Sequence, residues 1–451
     1  MNIFNPPLPG KGHNHITWGR TYGCSKGLAL AQAIEQFSGL TLIVTPDIQT
    51  AHLLESELAF FCADDTSIYM FPDSETLPYD VFSPHEDIIS DRVLTLCSLP
   101  KTEQGALIVS ASTILTKLAP KSFVLGQTLN LATNDQVDLE TFKQTLVKAG
   151  YQYVSQVISH GEFAVRGSII DLFPMGCKSP FRIDLFDDEI ETIRTFNPEN
   201  QVSIDKVEKV QILPAREFPT DENSIKRFRQ NYRVQFEGDP NKSVIYRDVS
   251  NNNLPSGIEY YLPLFCEETS TFFDYIPENN QLVLIENIIE IAEEFENDVF
   301  YRYDQRKYDL ERPPLHPKQL WISTEYFEKN IYKLNTIRLQ QYELEQLHRD
   351  QYNFDTHALP NVAINTHIKD PASELKRFIE NKDYKILFLA ESPGRREYLL
   401  DVLKGFELHP VAVNNWHEFL NQKNKIAITI APLEEGLVLE QDKIAIITEN
   451  N

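Results

Sequence analysis

Cysteine occurs five times in 451 residues, as Cys24, Cys62, Cys97, Cys177 and Cys266, with no C-x-x-C pair and no cysteine-histidine cluster at zinc spacing. That excludes a disulfide framework and a structural zinc, and the thiols read as reduced and buried. Long apolar runs are absent: nothing approaches the roughly 18 residues that a membrane span needs, and no basic start feeds an apolar stretch after Met1. Neither a span nor a secretory leader is supported, and the cytoplasm is the expected location. Positive charge is in short supply, with 42 Lys and Arg against 66 Asp and Glu, a formal net charge of -24. A field of that sign repels polyanions at long range and argues against a free-standing nucleic-acid binder, although it leaves room for a local basic face. No repeat with a period of about 20 to 50 residues is present.

What is there is ordinary globular composition, 42% hydrophobic and 24% charged, at a length that exceeds the reach of one hydrophobic core. Two to four domains are expected. The first third alternates the apolar runs LTLIVTPD (40–47), SIYMFPD (67–73) and GALIVSAS (105–112) with helical patterns, the rhythm of a parallel sheet with helical crossovers. His13 and His15 fall in a Gly/Pro/Asn-rich leader that reads as a solvated tail. After about residue 122 the rhythm changes: a helical segment, Asp138 to Ala149, precedes closely spaced strand candidates, EFAVRGSIIDLF, FRIDLF, EIETIRTF and VEKVQILP. This predicts a small, mainly antiparallel insert. Helical patterns and an apolar strand, QLVLIEN, return between 222 and 330, as though the first domain resumes. Tyr260, Tyr261 and Phe265, interleaved with Leu262 and Leu264, read as its core rather than as a base-stacking surface. Residues 335–360 are polar and read as a helix running into a linker. A second α/β unit follows, in which KILFLA feeds a helix with Ser392 as N-cap, Pro393 at its first position and Gly405 just past its end. Arg395 and Arg396 at that helix start are compatible with an anion site, and ordinary capping accounts for the segment without one. The sequence stops at Asn451 directly after a strand, which suggests an artificial or processed end.

The stretch Gly19 to Ala31, GRTYGCSKGLALA, has the outline of a phosphate loop entering a helix. With Lys26 as the phosphate lysine, Arg20 and Ser25 take the two glycine positions and Gly27 takes the place of the magnesium-holding hydroxyl. Side chains then stand where backbone N–H groups must approach phosphate. The strand end LVLIENI offers Glu286 and Asn287 where an ATPase of this architecture carries Asp and Glu, and Asn cannot accept a proton as a carboxylate does. Two independent parts fail, so no ATP turnover is expected. An accident of composition and a broken nucleotide site both remain open on these residues alone.

In FRIDLF the side chains alternate, so Phe181, Ile183 and Leu185 share one face and Arg182, Asp184 and Phe186 the other, beside a turn that leads to Glu189. If the strand ending in Arg166 pairs with it, Arg166 and Arg182 present one basic, aromatic-containing surface of the kind in which protein interfaces concentrate their energy. Two satisfied Arg-carboxylate pairs beside a half-buried Phe would fit the same residues.

Taken together, FPDSETLPYDVFSPHEDIISDR (71–92), GEFAVRGSIIDLFPMG (161–176), FRIDLFDDEIETIR (181–194) and LPSGIEYYLPLF (254–265) resemble the N-terminal part of the bacterial transcription-repair coupling factors. That part is in turn similar to the excinuclease subunit UvrB. The resemblance implies an α/β chain: a RecA/helicase-like parallel-sheet domain in two segments (1–121 and 218–334), an inserted small α+β domain that binds UvrA (122–217), a helix or linker (335–360) and a separate small α/β domain (361–451). It implies that Arg166, Arg182 and Phe186 contact UvrA, with Asp184, Glu189 and Arg194 as weaker candidates, and that Lys26 is the remnant of a lost ATPase. The stretch Phe71 to Arg92 is too short for UvrB's damage-probing hairpin, so lesion verification is not expected. No catalytic residue, metal or cofactor is expected in this chain. ATP, magnesium, DNA and RNA polymerase belong to domains expected beyond Asn451, and the UvrA-binding domain is expected to be masked within the whole protein. The rival reading is an ATP-dependent, DNA-binding helicase-like enzyme using an atypical phosphate loop.

Overall fold

Seven parallel strands form the first sheet, in the order Gln351–Asn353, His15–Gly19, Thr336–Leu339, Asn280–Ile285, Leu40–Thr45, Gly105–Ser110, Ile68–Phe71. The computed structural model describes residues 1–10, 12–345, 347–364, 371–381 and 383–450. The central strands are continuous apolar runs because both faces of the sheet are covered. Ile43, Ile108 and Val283 point to helices Ser25–Gln36 and Ile48–Phe61, while Leu42, Leu107 and Leu284 join the core that holds Val93 and Leu96 of helix Glu86–Ser98. The strand Asn280–Ile285 pairs with Leu40–Thr45, so the chain returns to this sheet after the insert.

The insert contains a two-stranded ribbon, Leu129–Ala132 with Lys209–Ile212, the helix Leu139–Lys148 capped by Asp138, and a six-stranded sheet. That sheet runs Ser203–Val207, Glu189–Phe196, Phe181–Phe186, Ile169–Leu172, Glu162–Arg166, Gln152–Tyr153, and only its last pairing is parallel. A third sheet, also six-stranded, is built from Thr356–His357 and the strands from Lys385–Ala390 to Ile444–Thr448. Its helix Pro393–Gly405 starts as expected, with the Ser392 hydroxyl accepting from the Arg395 amide.

Three local expectations are corrected. Residues 335–360 hold no helix among those described: Thr336–Leu339 lies inside the first sheet and Gln351–Asn353 at its edge. Short polar strands such as Thr336–Leu339 show little periodicity, and their hydrogen-bonding neighbours are remote in sequence. The leader is no solvated tail: Ile3 is buried, His13 pairs with Asp350, and His15 opens the first strand with its ring edge-on to Tyr332 at 5.8 Å. Gly405 is the last helical residue, and the left-handed position after the helix is taken by Glu407, with φ 67°.

Candidate functional site

The six-stranded sheet of the insert buries one face and leaves the other open toward Arg166 and Phe186, while Ala164 and Phe196 on that second face are covered by Val157 and Phe173. Phe163, Ile170, Leu172, Ile183, Leu185, Ile190 and Ile193 share a core with Phe142 and Leu146 of helix Leu139–Lys148. The alternate residues form cross-strand rungs on the opposite face. In one rung Arg166 stands beside Ile169, Asp184 and Thr192. In the next, Ala164 is followed by Asp171, Arg182, Arg194 and Lys206. Phe186 and Glu189 close the series at the hairpin end.

All six residues expected at this surface fall on that one face, but the strand bearing Arg166 does not pair with the strand bearing Arg182. Ile169–Leu172 lies between them, and its Asp171 joins the two arginines. The Asp171 side chain is 1% exposed and receives Arg182 side-on, Nε to Oδ1 at 2.7 Å and Nη2 to Oδ2 at 3.0 Å, while Arg166 Nη2 donates to Oδ2. Arg182 also donates to the Gln201 carbonyl at 3.2 Å and lies over the Phe196 ring, 4.8 Å from its centroid. The hydrogen bonds to Asp171 raise its pKa further, so it is charged at every relevant pH. Arg166 is half exposed, with the far side of its guanidinium available to a partner.

Phe186 is 71% exposed, which is unusual for a phenylalanine at the end of a paired strand. It is held firmly. Asp187 takes the left-handed conformation that lets the hairpin close in two residues, with φ 54°. Behind it, Val137 N donates to the Asp188 carbonyl at 2.6 Å, and Ile190 N donates to the Asp135 carbonyl at 2.9 Å. Asp184 accepts from the Thr192 hydroxyl at 2.9 Å and Glu189 from Gln136 at 3.1 Å, so both carboxylates are partly engaged. Arg194 lies beside Arg182, its Nε buried without a hydrogen-bond partner. The sequence reading missed Asp171 and Thr192. A lone carboxylate inside the apolar run SIIDLF is a usable signal, because it marks the one position that must find a cation.

The second candidate lies at the head of the first sheet. Strand His15–Gly19 sits where the strand order reverses, the position at which open α/β sheets bind ligands. Arg20 follows with φ 58°; its Nη1 is 3.9 Å from Glu343, its Nε is buried without a partner, and its carbonyl accepts from Thr356 Oγ1. The Ser25 hydroxyl is likewise buried and unpartnered. Beside Lys26, the Gly27 amide donates to the Glu57 carboxylate at 3.0 Å. Glu286, with φ 60°, and Asn287 are exposed at the end of Asn280–Ile285, with Thr336–Leu339 between them and the loop strand. Of the remaining residues singled out, Arg395 is bound to Glu449 at 2.5 Å, which supplies the anion within the chain, and Arg396 to its neighbour Glu397. Tyr261 and Phe265 are buried, and Tyr260 donates to the Leu77 carbonyl at 2.6 Å. No group of three or more metal-ligating side chains occurs among the described residues. No described helix is long and apolar enough to cross a membrane.

Comparison with known proteins matches two segments of the chain to family models. A family model described as the UvrB interaction domain matches residues 129–218, which contain the open sheet face, and one described as MFD, D3 domain matches 378–451. The chain is similar to the transcription-repair-coupling factor of Haemophilus influenzae, 38% identical over 100% of this chain and 39% of the relative. It is similar to that of Escherichia coli, 35% identical over 98% and 38%, and to that of Rickettsia bellii, 27% identical over 88% and 35%. The chain thus spans about two fifths of the length of these relatives.

Proposed function

We propose that this chain, homologous along its length to transcription-repair coupling factors, is the part of such a factor that recruits UvrA, docking it on the open face of the inserted sheet. The observation that carries the reading is the trio Arg166, Arg182 and Phe186, set on one face of the sheet inside the segment that matches the UvrB interaction domain. Phe186 is the apolar anchor. Asp171 gathers two guanidinium groups at fixed spacing, and the half-exposed Arg166 offers charge-assisted hydrogen bonds to carboxylates of the partner. Because Arg182 is largely sheathed by Asp171, Gln201 and Phe196, its part is to stiffen the surface as much as to touch UvrA.

On this reading the chain itself is not an enzyme. The ATP-driven translocation, RNA polymerase contact and DNA contact of a coupling factor belong to the region its relatives carry beyond the matched portion, and within such a whole protein the UvrA surface is covered until the motor engages. The working place is the cytoplasm. The deciding experiment is binding of purified UvrA to the chain and to Arg166→Ala, Arg182→Ala and Phe186→Ala. Loss in these variants supports the surface, and undiminished affinity in all three, with circular dichroism unchanged, overturns it. A titration with ATP and magnesium separates the helicase-like alternative, which requires saturable micromolar binding.

A further inference from the structure

The head of helix Ser25–Gln36 keeps the geometry of an anion site, with helix N–H groups directed to the reversal point of the sheet. Two pieces of the chain itself occupy it. From one side Glu57, on helix Ile48–Phe61 and 8% exposed, brings its carboxylate onto the Gly27 amide. A Cβ on Gly27 would lie 2.4 Å from the Glu57 Cβ, so only glycine leaves room for it. From the other side the turn before strand Leu437–Leu439 presses on the loop: a Cβ on Gly23 would lie 2.0 Å from the Gly436 carbonyl oxygen. The contact continues in apolar side chains. Cys24, Leu28 and Leu58 share a core with Leu387, Leu437 and Ile446, and Trp416 packs edge-on to Phe61 at 5.2 Å.

We propose that Glu57 is a built-in occupant of the anion position at the head of helix Ser25–Gln36, and that the filled site is the seat on which the C-terminal α/β unit is held. The group that fills the position is the carboxyl of Glu57 itself, and a soluble nucleotide is excluded while it stays in place. This goes beyond the docking of UvrA and does not depend on it.

The seat responds to protons. Burial above all raises Glu57, to about 7; Lys26 and the Gly27 amide oppose the rise, and Glu435 and Glu434 from the C-terminal unit add to it. Cys24 also faces the group, its thiol pushed up by burial and then by Glu57. A hydrated Glu57 titrates near 4.5, so the seated form prefers the proton. The part of this rise that the C-terminal unit causes contributes to seating below that value and is lost as pH rises through about 7, which makes seating weaker at pH 8 than at pH 6, by about tenfold at most.

Hydrogen exchange of the whole chain, corrected for intrinsic rates, tests this on the amides of 20–28 and 426–439. In the wild type, protection should fall from pH 6 to pH 8, by about tenfold at most. In Glu57→Gln, whose amide oxygen still accepts from Gly27 but carries no charge, it should be the same at both. Gly23→Ala should lower protection at both. A Glu57→Gln variant that keeps the wild-type fall, unchanged protection in Gly23→Ala, or saturable binding of ATP with magnesium while these amides stay protected, would each overturn the proposal. Should Gly23→Ala not fold, Glu57→Gln decides alone.

Discussion

Two buried carboxylates organise the two candidate sites, and they do opposite things. Asp171 meets two guanidinium groups, one of them side-on, and it turns a flat sheet face into an outward surface of fixed charge. Glu57 meets one backbone amide and the field of one lysine, with two further carboxylates close behind, and it closes a site inward. The difference lies in the number of donors. A carboxylate whose lone pairs are answered by cations is a rigid organiser, whereas one left short of donors in a dry place is driven toward its protonated form.

Removing the organiser should have the largest effect. Asp171→Ala leaves Arg182 mostly buried without a counter-charge, and we expect a loss of about 3 kcal/mol in the stability of the insert, read by urea denaturation, with UvrA binding reduced more than a hundredfold. If stability is unaffected, the contrast between the two carboxylates fails at its stronger end. Phe186→Ala separates anchoring from stability: the ring is exposed, so unfolding should be unchanged while UvrA affinity falls about thirtyfold in calorimetric titration. Glu57→Gln should abolish the change in seating between pH 6 and pH 8 and leave UvrA affinity alone, which a paired exchange and binding measurement would show. Arg166→Ala, at a half-exposed position, should cost about fivefold in affinity and weaken its dependence on salt, measured by repeating the titration at two ionic strengths.

Much of the architecture was legible because long apolar runs announce buried strands. The parallel first sheet, the antiparallel character of the insert and the capped helix after KILFLA all rest on local patterns that carry their own reason. The alternation in FRIDLF placed Arg182, Asp184 and Phe186 on one face, and the structure agrees. What could not be read was pairing. Nothing local says that Ile169–Leu172 intervenes between the two arginine strands, and so Asp171 was passed over. The same holds for Thr336–Leu339, whose pattern is too short to declare a strand and whose neighbours are Asn280–Ile285 and, from the start of the chain, His15–Gly19. The loop Gly19 to Ala31 resembles a phosphate motif that names no partner from Ile48–Phe61 or from the 431–436 turn. Its occupants were therefore invisible even though its defects were plain.

The position of His15–Gly19 in the first sheet sets a schedule for synthesis. Both of its neighbours, Thr336–Leu339 and Gln351–Asn353, are made long after it. At about 5–20 residues per second the first strand therefore waits tens of seconds for either sheet neighbour, while the whole insert has time to fold. The insert is therefore complete in sequence before the sheet that carries it.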